Sequence, residues 1–191
     1  MRSIAIKALV VWLLSMTTFV VVMAAPREDS PARKLFNEHI QNGRDSQALE
    51  LIGKQLDVND KGRGDTTPLA QAIFSNREAV AAELIRRGAN VNAVRFKGWT
   101  PLMDASSNYL SSLQLVNLLV AKGAKLDMQR FDGATSLHLA VEQQKNAVIL
   151  ALLIAGANPN IRNKDGQTPL FLVQSATAAT LLMEYGGDIR L

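Results

Sequence analysis

Residues 135–140 read Thr-Ser-Leu-His-Leu-Ala, and the opening of that stretch recurs as Thr67-Pro68-Leu69, Thr100-Pro101-Leu102, Thr135-Ser136-Leu137 and Thr168-Pro169-Leu170. The position numbers set these threonines 33, 35 and 33 residues apart. A fixed period of this length marks an array in which each unit is one supersecondary element that hides its apolar side against its neighbours. A second landmark keeps step. Gly88-Ala89-Asn90-Val91-Asn92, Gly123-Ala124-Lys125-Leu126-Asp127 and Gly156-Ala157-Asn158-Pro159-Asn160 follow their threonines by 21, 23 and 21 residues. The two extra residues of the middle unit therefore lie between the landmarks, at about Asn108 to Ser112.

One unit can be read from its residues. A threonine caps a helix start through its side-chain oxygen, and proline suits the first helical position, where its missing N–H is not needed. A first helix is expected to begin at each Thr-Pro-Leu. Leu69, Ala72 and Ile73, then Val80, Leu84 and Ile85, fall at helical spacings in two short segments parted near Ser75-Asn76-Arg77, which describes a helical hairpin. Gly88 then ends the second helix, because glycine accepts the left-handed conformation that closes it. The Asn/Asp-rich residues beyond suit a turn or an extended finger leading to the next unit.

These landmarks resemble the ankyrin repeat, with its 33-residue period and Thr-Pro-Leu-His-x-Ala signature. Thr135-Ser136-Leu137-His138-Leu139-Ala140 matches that signature with Ser in place of Pro, and the resemblance covers nearly everything after residue 31. It implies an all-α solenoid of about five stacked helical hairpins with short finger loops, the first and last units being degenerate. The units fall at about 32–60, 64–93, 97–128, 132–161 and 165–191. The first has helical stretches at Ala32–Gln41 and Ser46–Lys54 and lacks the Thr-Pro-Leu. Worn ends are expected, since terminal repeats must turn a polar side outward. The second unit also departs from the pattern, with Asp65 at the usual place of the turn glycine and Gly64 one place early.

Residues 1–24 have a different character. Arg2 and Lys7 lead into an apolar run from Ala8 to Met23, broken only by Ser15, Thr17 and Thr18 and followed by Ala24-Ala25-Pro26. This is the layout of a signal peptide, with cleavage expected after Ala24 because cutting after Ala25 would put Pro26 beside the scissile bond. Residues 25–31 then form a linker. The mature chain is expected in the periplasm or outside the cell, with an uncleaved inner-membrane anchor as the alternative; membrane contact is expected only in that second case. A bacterial source follows from the resemblance, since eukaryotic ankyrin stacks are mostly cytosolic.

The chain of 191 residues is 48% hydrophobic and 20% charged, the balance of a globular domain. Cysteine is absent, so no disulfide, thiol nucleophile or thiolate metal site is available. Without Arg2 and Lys7, 19 bases face 17 acids, an excess too small for a nucleic-acid-binding stripe. The two histidines offer no catalytic base: His138 takes the signature position and reads as a bond between neighbouring repeats, and His39 reads as a surface residue. Asp57, Asp127 and Asp188 read as turn caps at equivalent positions rather than as paired acids. The glycines recur singly at repeat turns and form no phosphate loop. No enzyme activity, metal or cofactor is expected.

The informative residues are those the repeat does not require. In proteins resembling this one, partners are held by the finger tips and by the exposed face of the first helices. Position by position, that places candidate contacts at Arg63 and Thr66; at Phe96, Lys97 and Trp99; at Phe131, Asp132 and Ala134; and at Lys164 and Gln167. Late in the first helices stand Phe74 and Ser75, Ser107 and Asn108, and Glu142 and Gln143, while Tyr109 and Leu110 occupy the insertion. Phe96 and Phe131 share one repeat position, four residues before the threonine, so stacking makes them neighbours, with Trp99, Arg95, Lys97 and Arg130 close by. The rings either form an amphipathic binding patch or fold back to pack between fingers. The expected function is an exported scaffold, monomeric alone, that holds a protein partner in the cell envelope. The particular forms are an inhibitor or immunity protein against an envelope-acting toxin, or an accessory subunit that stabilises an envelope enzyme in stress protection.

Overall fold

A computed structural model describes residues 28–190. The signal segment, its cleavage point after Ala24 and the start of the linker lie outside the described residues. Within them are nine α-helices: α1 Pro31–Gln41, α2 Asp45–Lys54, α3 Pro68–Phe74, α4 Glu78–Arg86, α5 Pro101–Ser107, α6 Leu113–Ala121, α7 Ser136–Glu142, α8 Asn146–Ile154 and α9 Ala176–Glu184. Short 3₁₀ turns occur at Arg63–Asp65, Phe96–Gly98 and Pro169–Leu172. No strand is present among the described residues, and none of their helices is long and apolar enough to cross a membrane.

The helices pair as five hairpins lying side by side. First helices stack in one layer, α1 on α3, α3 on α5, α5 on α7 and α7 on the Pro169–Leu172 turn; second helices stack in the other, α2 on α4, α4 on α6, α6 on α8 and α8 on α9. One core runs between the layers through Phe36, Leu51, Leu69, Leu84, Leu102, Leu119, Leu137, Leu152 and Leu182. The segments that start at Thr67, Thr100, Thr135 and Thr168 are therefore adjacent rungs, as the period requires.

Local chemistry sets the rungs. The hydroxyls of Thr67 and Thr100 accept from the N–H of Ala70 and Met103 at 3.3 and 3.2 Å, satisfying helix-start donors that have no partner within the helix. At α7 the cap is reciprocal: Thr135 accepts from the His138 N–H, and His138 Nδ1 lies 3.2 Å from the Thr135 N–H. The first unit carries a disguised version of the same start. Ser30 caps α1 by accepting from the Arg33 N–H at 3.2 Å, and Pro31 stands at the first helical position. Ser30-Pro31-Ala32 thus replaces the Thr-Pro-Leu that the first unit was expected to lack, and α1 begins at Pro31, one residue inside the expected linker.

The last unit is shortened for a reason of length. Its two caps, Thr168 and Ser175, are seven residues apart, against ten between Thr67 and Arg77, so the first helix contracts to the Pro169–Leu172 3₁₀ turn. In the middle unit the caps Thr100 and Ser112 stand twelve apart, which confines the insertion to the loop before α6, as the landmarks indicated.

Two readings of single residues need correction. His39 is half-buried rather than fully at the surface: it lines a hollow with Leu35, Gln47 and Leu51, and its Nδ1 is buried without a hydrogen-bond partner. Asp127 is not equivalent to Asp57 and Asp188. Those two accept from the N–H two residues on, at Asn59 and Arg190, as Asn90 and Asn158 also do. Asp127 stands two places later in register, in a row with Asn59, Asn92 and Asn160 that joins unit to unit. Asn59, Asn92, Asp127 and Asn160 accept from a backbone N–H of the next unit, at Asn90, Lys125, Asn158 and Asp188 respectively. The three asparagines also donate to the closing carbonyls of Gly88, Gly123 and Gly186 at 3.3, 2.9 and 2.8 Å. Asp127 has no amide with which to do so.

Candidate functional site

Each finger is a tight hairpin closed in the same way. The N–H five residues before the capping threonine donates to the carbonyl one residue before it: Gly62 to Thr66, Arg95 to Trp99, Arg130 to Ala134 and Asn163 to Gln167, at 2.9–3.0 Å. Gly64 and Asp65 both adopt positive φ (64° and 57°), as do Lys97 and Gly98 (62° and 81°). Asp65 therefore takes the left-handed place itself, which a short polar side chain accepts more readily than most, so the first finger keeps its turn despite the displaced glycine. Neighbouring tips are joined through the backbone, with Phe131 N–H donating to Lys97 O at 2.9 Å and Lys164 N–H to Asp132 O at 2.8 Å. A Cβ on Gly133 would come within 2.8 Å of the Lys164 nitrogen, so only glycine allows that approach.

The aromatic question divides by residue. Trp99 is half-buried between two guanidinium groups, Arg95 at 5.0 Å and Arg130 at 4.7 Å from its ring centre. Phe96 and Phe131 stay 65% and 53% exposed, with the Lys97 ammonium 5.6 and 5.2 Å from their respective rings. Trp99 therefore packs between fingers, whereas the two phenylalanines face outward. Cation–π contacts of this kind hold the tips in one arrangement, at roughly 0.5–1 kcal/mol each where exposed.

Behind the tips lies a groove of about 420 Å³ lined by Phe74, Arg95, Trp99, Asp104, Ser107 and Asn108. Four of these, Phe74, Trp99, Ser107 and Asn108, are expected contacts brought together from two adjacent units. Arg95 and Asp104 form the floor: Arg95 Nε donates to Asp104 Oδ2 at 3.2 Å, and its Nη2 also donates to Oδ1. Burial raises the Asp104 pKa, and the Arg95 hydrogen bond and charge oppose that rise. The sequence reading did not single out Asp104. Its signal was present, as one acid among the apolar residues Leu102, Met103 and Ala105 of a buried first helix. Phe74 is 73% exposed at the groove's rim.

The insertion beside the groove is bolted from both sides. Asn108 Nδ2 donates to Ile73 O at 3.0 Å on the preceding unit, and the Ser112 hydroxyl donates to Glu78 at 2.6 Å. From the following unit, Lys145 Nζ donates to the carbonyls of Ala105, Asn108 and Ser111 at 3.1, 3.0 and 3.2 Å. Burial lowers the Lys145 pKa, with Glu78 acting in the opposite direction. The fixed loop presents Tyr109 and Leu110, 81% and 65% exposed.

The remaining expected contacts lie elsewhere or have structural partners. Arg63 lines a separate hollow of about 250 Å³ with Glu28, Asp29 and Lys34. Thr66 and Gln167 hold units together through their carbonyls, which accept from Arg33 Nη2 at 2.9 Å and lie 3.1 Å from His138 Nε2. Arg33 thus stands in the register of His138 and performs the same task. The Ser75 hydroxyl accepts from Gln71, and Ser107 donates to the Asp104 carbonyl. Asp132 is held by Arg130 at 2.6 Å, which depresses its pKa. Glu142 and Gln143 are exposed at the end of α7, where partial burial raises the Glu142 pKa. Lys164 is exposed on the fourth finger.

Models of ankyrin repeats match residues 36–130, as three copies, and residues 132–164, as one more. The chain belongs to the ankyrin-repeat family. The ankyrin stack extends past both matched ends, to the unit begun by Ser30 and the contracted unit begun by Thr168. Among curated relatives, the B-cell lymphoma 3 protein homolog of the mouse is 29% identical over 128 residues, 66% of this chain and 28% of that protein. The fowlpox virus ankyrin repeat protein FPV031 is 36% identical over 131 residues, 64% of this chain and 38% of its own. The human ankyrin repeat and SOCS box protein 3 is 32% identical over 95 residues, 48% of this chain and 18% of its own. The ankyrin chain thus spans well under half the length of each of these relatives.

Proposed function

We propose that this ankyrin stack is a scaffold that binds a protein partner across its finger tips and the groove behind them. The observation that carries the reading is the pair Phe96 and Phe131, held outward on adjacent rigid fingers while the third aromatic of the fingers, Trp99, packs between two guanidinium groups. Exposed aromatics on a fixed backbone lose little conformational entropy on binding, and such residues dominate interface energy. Phe74 and the pinned Tyr109–Leu110 loop extend the same side of the molecule. We place the scaffold in the cell envelope, after export and cleavage following Ala24; that placement is supported by the basic and then apolar order of residues 1–24.

The test is affinity capture from the source organism with the full chain and with its F96A/F131A variant, compared by quantitative mass spectrometry. A specific partner should fall by tenfold or more, on the scale of about 1–2 kcal/mol for each truncated interface anchor, while the melting temperature of the variant stays unchanged. Equal recovery by both proteins would refute the reading. Mass measurement of the processed chain should give an N-terminus at Ala25.

A further inference from the structure

The fourth residue before each capping threonine is the first residue inside the turn of its finger, and in stack order these residues are Arg63, Phe96, Phe131 and Lys164. All four are exposed. Two aromatic rings are thus flanked, one unit away on either side, by two cations. Within the described residues, neither cation has a carboxylate within salt-bridge distance, and Lys97 between the rings also has none. Elsewhere exposed bases occur both paired, as Arg86 and Arg87 are with Glu83 and Lys54 with Glu50, and without a carboxylate at that distance, as Lys122, Lys125 and Arg162 are. The acids near the row are Asp132, held by Arg130, Asp165 beside Lys164, Asp65, which has an interaction of its own, and Glu28 and Asp29, which share the hollow of Arg63, Asp29 accepting from the Arg63 backbone N–H at 3.3 Å.

Packed helices lie about 8–10 Å apart, so successive tips repeat on that scale. A polyproline-II chain advances about 9 Å every three residues and returns the same face to the row. We infer that the partner, on the scaffold reading above, engages the tips through an acidic segment in the polyproline-II conformation whose pattern is acid, two large apolar residues and acid, each three positions from the last. The apolar pair lies on Phe96 and Phe131, and the terminal acids meet Arg63 and Lys164. Lys97, between the rings, attracts a further acid near the middle. The order is set by the stack, since a single unit supplies only one of the four contacts.

A phage-displayed library of random 12-residue peptides selected on the full chain tests this directly. Selection should enrich net-acidic sequences with apolar residues spaced by three. Affinity measured by anisotropy with a dye-labelled winner should fall roughly tenfold in the R63E/K164E variant, on the scale of two exposed ion pairs lost and reversed, and should fall again in 0.5 M salt. Enrichment of neutral or basic sequences, or no enrichment, overturns the inference. Tighter binding to an oligonucleotide or to phosphatidylserine vesicles than to the winning peptide overturns it too. The scaffold reading is judged separately: a partner lost with F96A/F131A but untouched by R63E/K164E and by salt sinks the acidic segment alone.

Discussion

Replacing Arg33 by Ala should loosen the first ankyrin unit from the second. Arg33 is 1% exposed, and its guanidinium donates to Asp60 O at 3.0 Å, Thr66 O at 2.9 Å and Asn37 Oδ1 at 3.1 Å. Truncation removes all three bonds. Thr66 O keeps its second donor, the Gly62 N–H at 3.0 Å, and its loss is therefore partial. Hydrogen bonds from a charged donor contribute about 1.5–3 kcal/mol each. Burial, which lowers the Arg33 pKa, shows that the charge is itself held at a cost and offsets part of that sum. A net loss of about 3 kcal/mol is expected, or roughly 6–12 °C in melting temperature for a domain of this size. In a solenoid such a loss falls mainly on the affected unit and its interface. Amide exchange at Phe36, Ile40 and Ala48 should accelerate far more than exchange in α7 and α8. Arg33→His should lose about half as much, because His138 shows that an imidazole in this register reaches the carbonyl before the next capping threonine at 3.1 Å. Melting within 1 °C of the parent (about 0.3 kcal/mol on that scale), together with unchanged exchange at Phe36 and Ile40, would refute the reasoning.

Ser136 stands where Pro68, Pro101 and Pro169 stand in other units; it is buried, its hydroxyl has no partner, and Thr135 before it is extended with ψ 173°. Ser136→Pro should stabilise the protein by about 0.5–1 kcal/mol, read as a rise in urea midpoint at unchanged slope. Asn92→Asp keeps the acceptor for the Lys125 N–H but removes the donor to Gly123 O, and should lower stability by about 1 kcal/mol; Asp127→Asn should raise it by supplying the bond to Gly156 O that the row lacks. Burial lowers the His138 pKa, against a raising influence from the Gln167 carbonyl. The unfolded chain then binds a proton more readily than the folded one, so stability is full above the unfolded value of about 6.5, declines as pH falls below it and levels off beneath the depressed folded value. Urea titrations from pH 7.5 to pH 5 should show that decline, and His138→Gln should flatten it.

The stack was legible because a threonine cap and a glycine stop recur in phase, and both are local demands of the backbone. What escaped was set by register across units. Ser30-Pro31 is a helix start of the same kind, but it stands 37 residues before Thr67 and so falls out of the period. Asp127 was grouped with Asp57 and Asp188 by residue type, whereas the inter-unit row depends on its offset from the preceding glycine. The partition of the aromatics could not be read at all. Phe96, Trp99 and Phe131 look alike in sequence, and only the third dimension shows Arg95 and Arg130 closing on Trp99 alone.

That partition bears on function through the way a finger is closed. The bond from the N–H five residues before the threonine to the carbonyl one before it is the same in all four fingers, whatever side chain stands at the tip. Arg63, Phe96, Phe131 and Lys164 differ in size, charge and polarity, yet they top hairpins with the same closing bond. The fold therefore places no demand on that position beyond a tolerable backbone. An exposed phenylalanine there adds nothing to finger closure and carries an aggregation liability, so two of them on adjacent units need another use. The same holds at the insertion, where Lys145, Asn108 and Glu78 fix a loop whose most exposed side chains, Tyr109 and Leu110, take no part in the fixing. Apolar surface that is held rigid by partners other than itself is the form a binding surface takes when its entropy has been removed in advance.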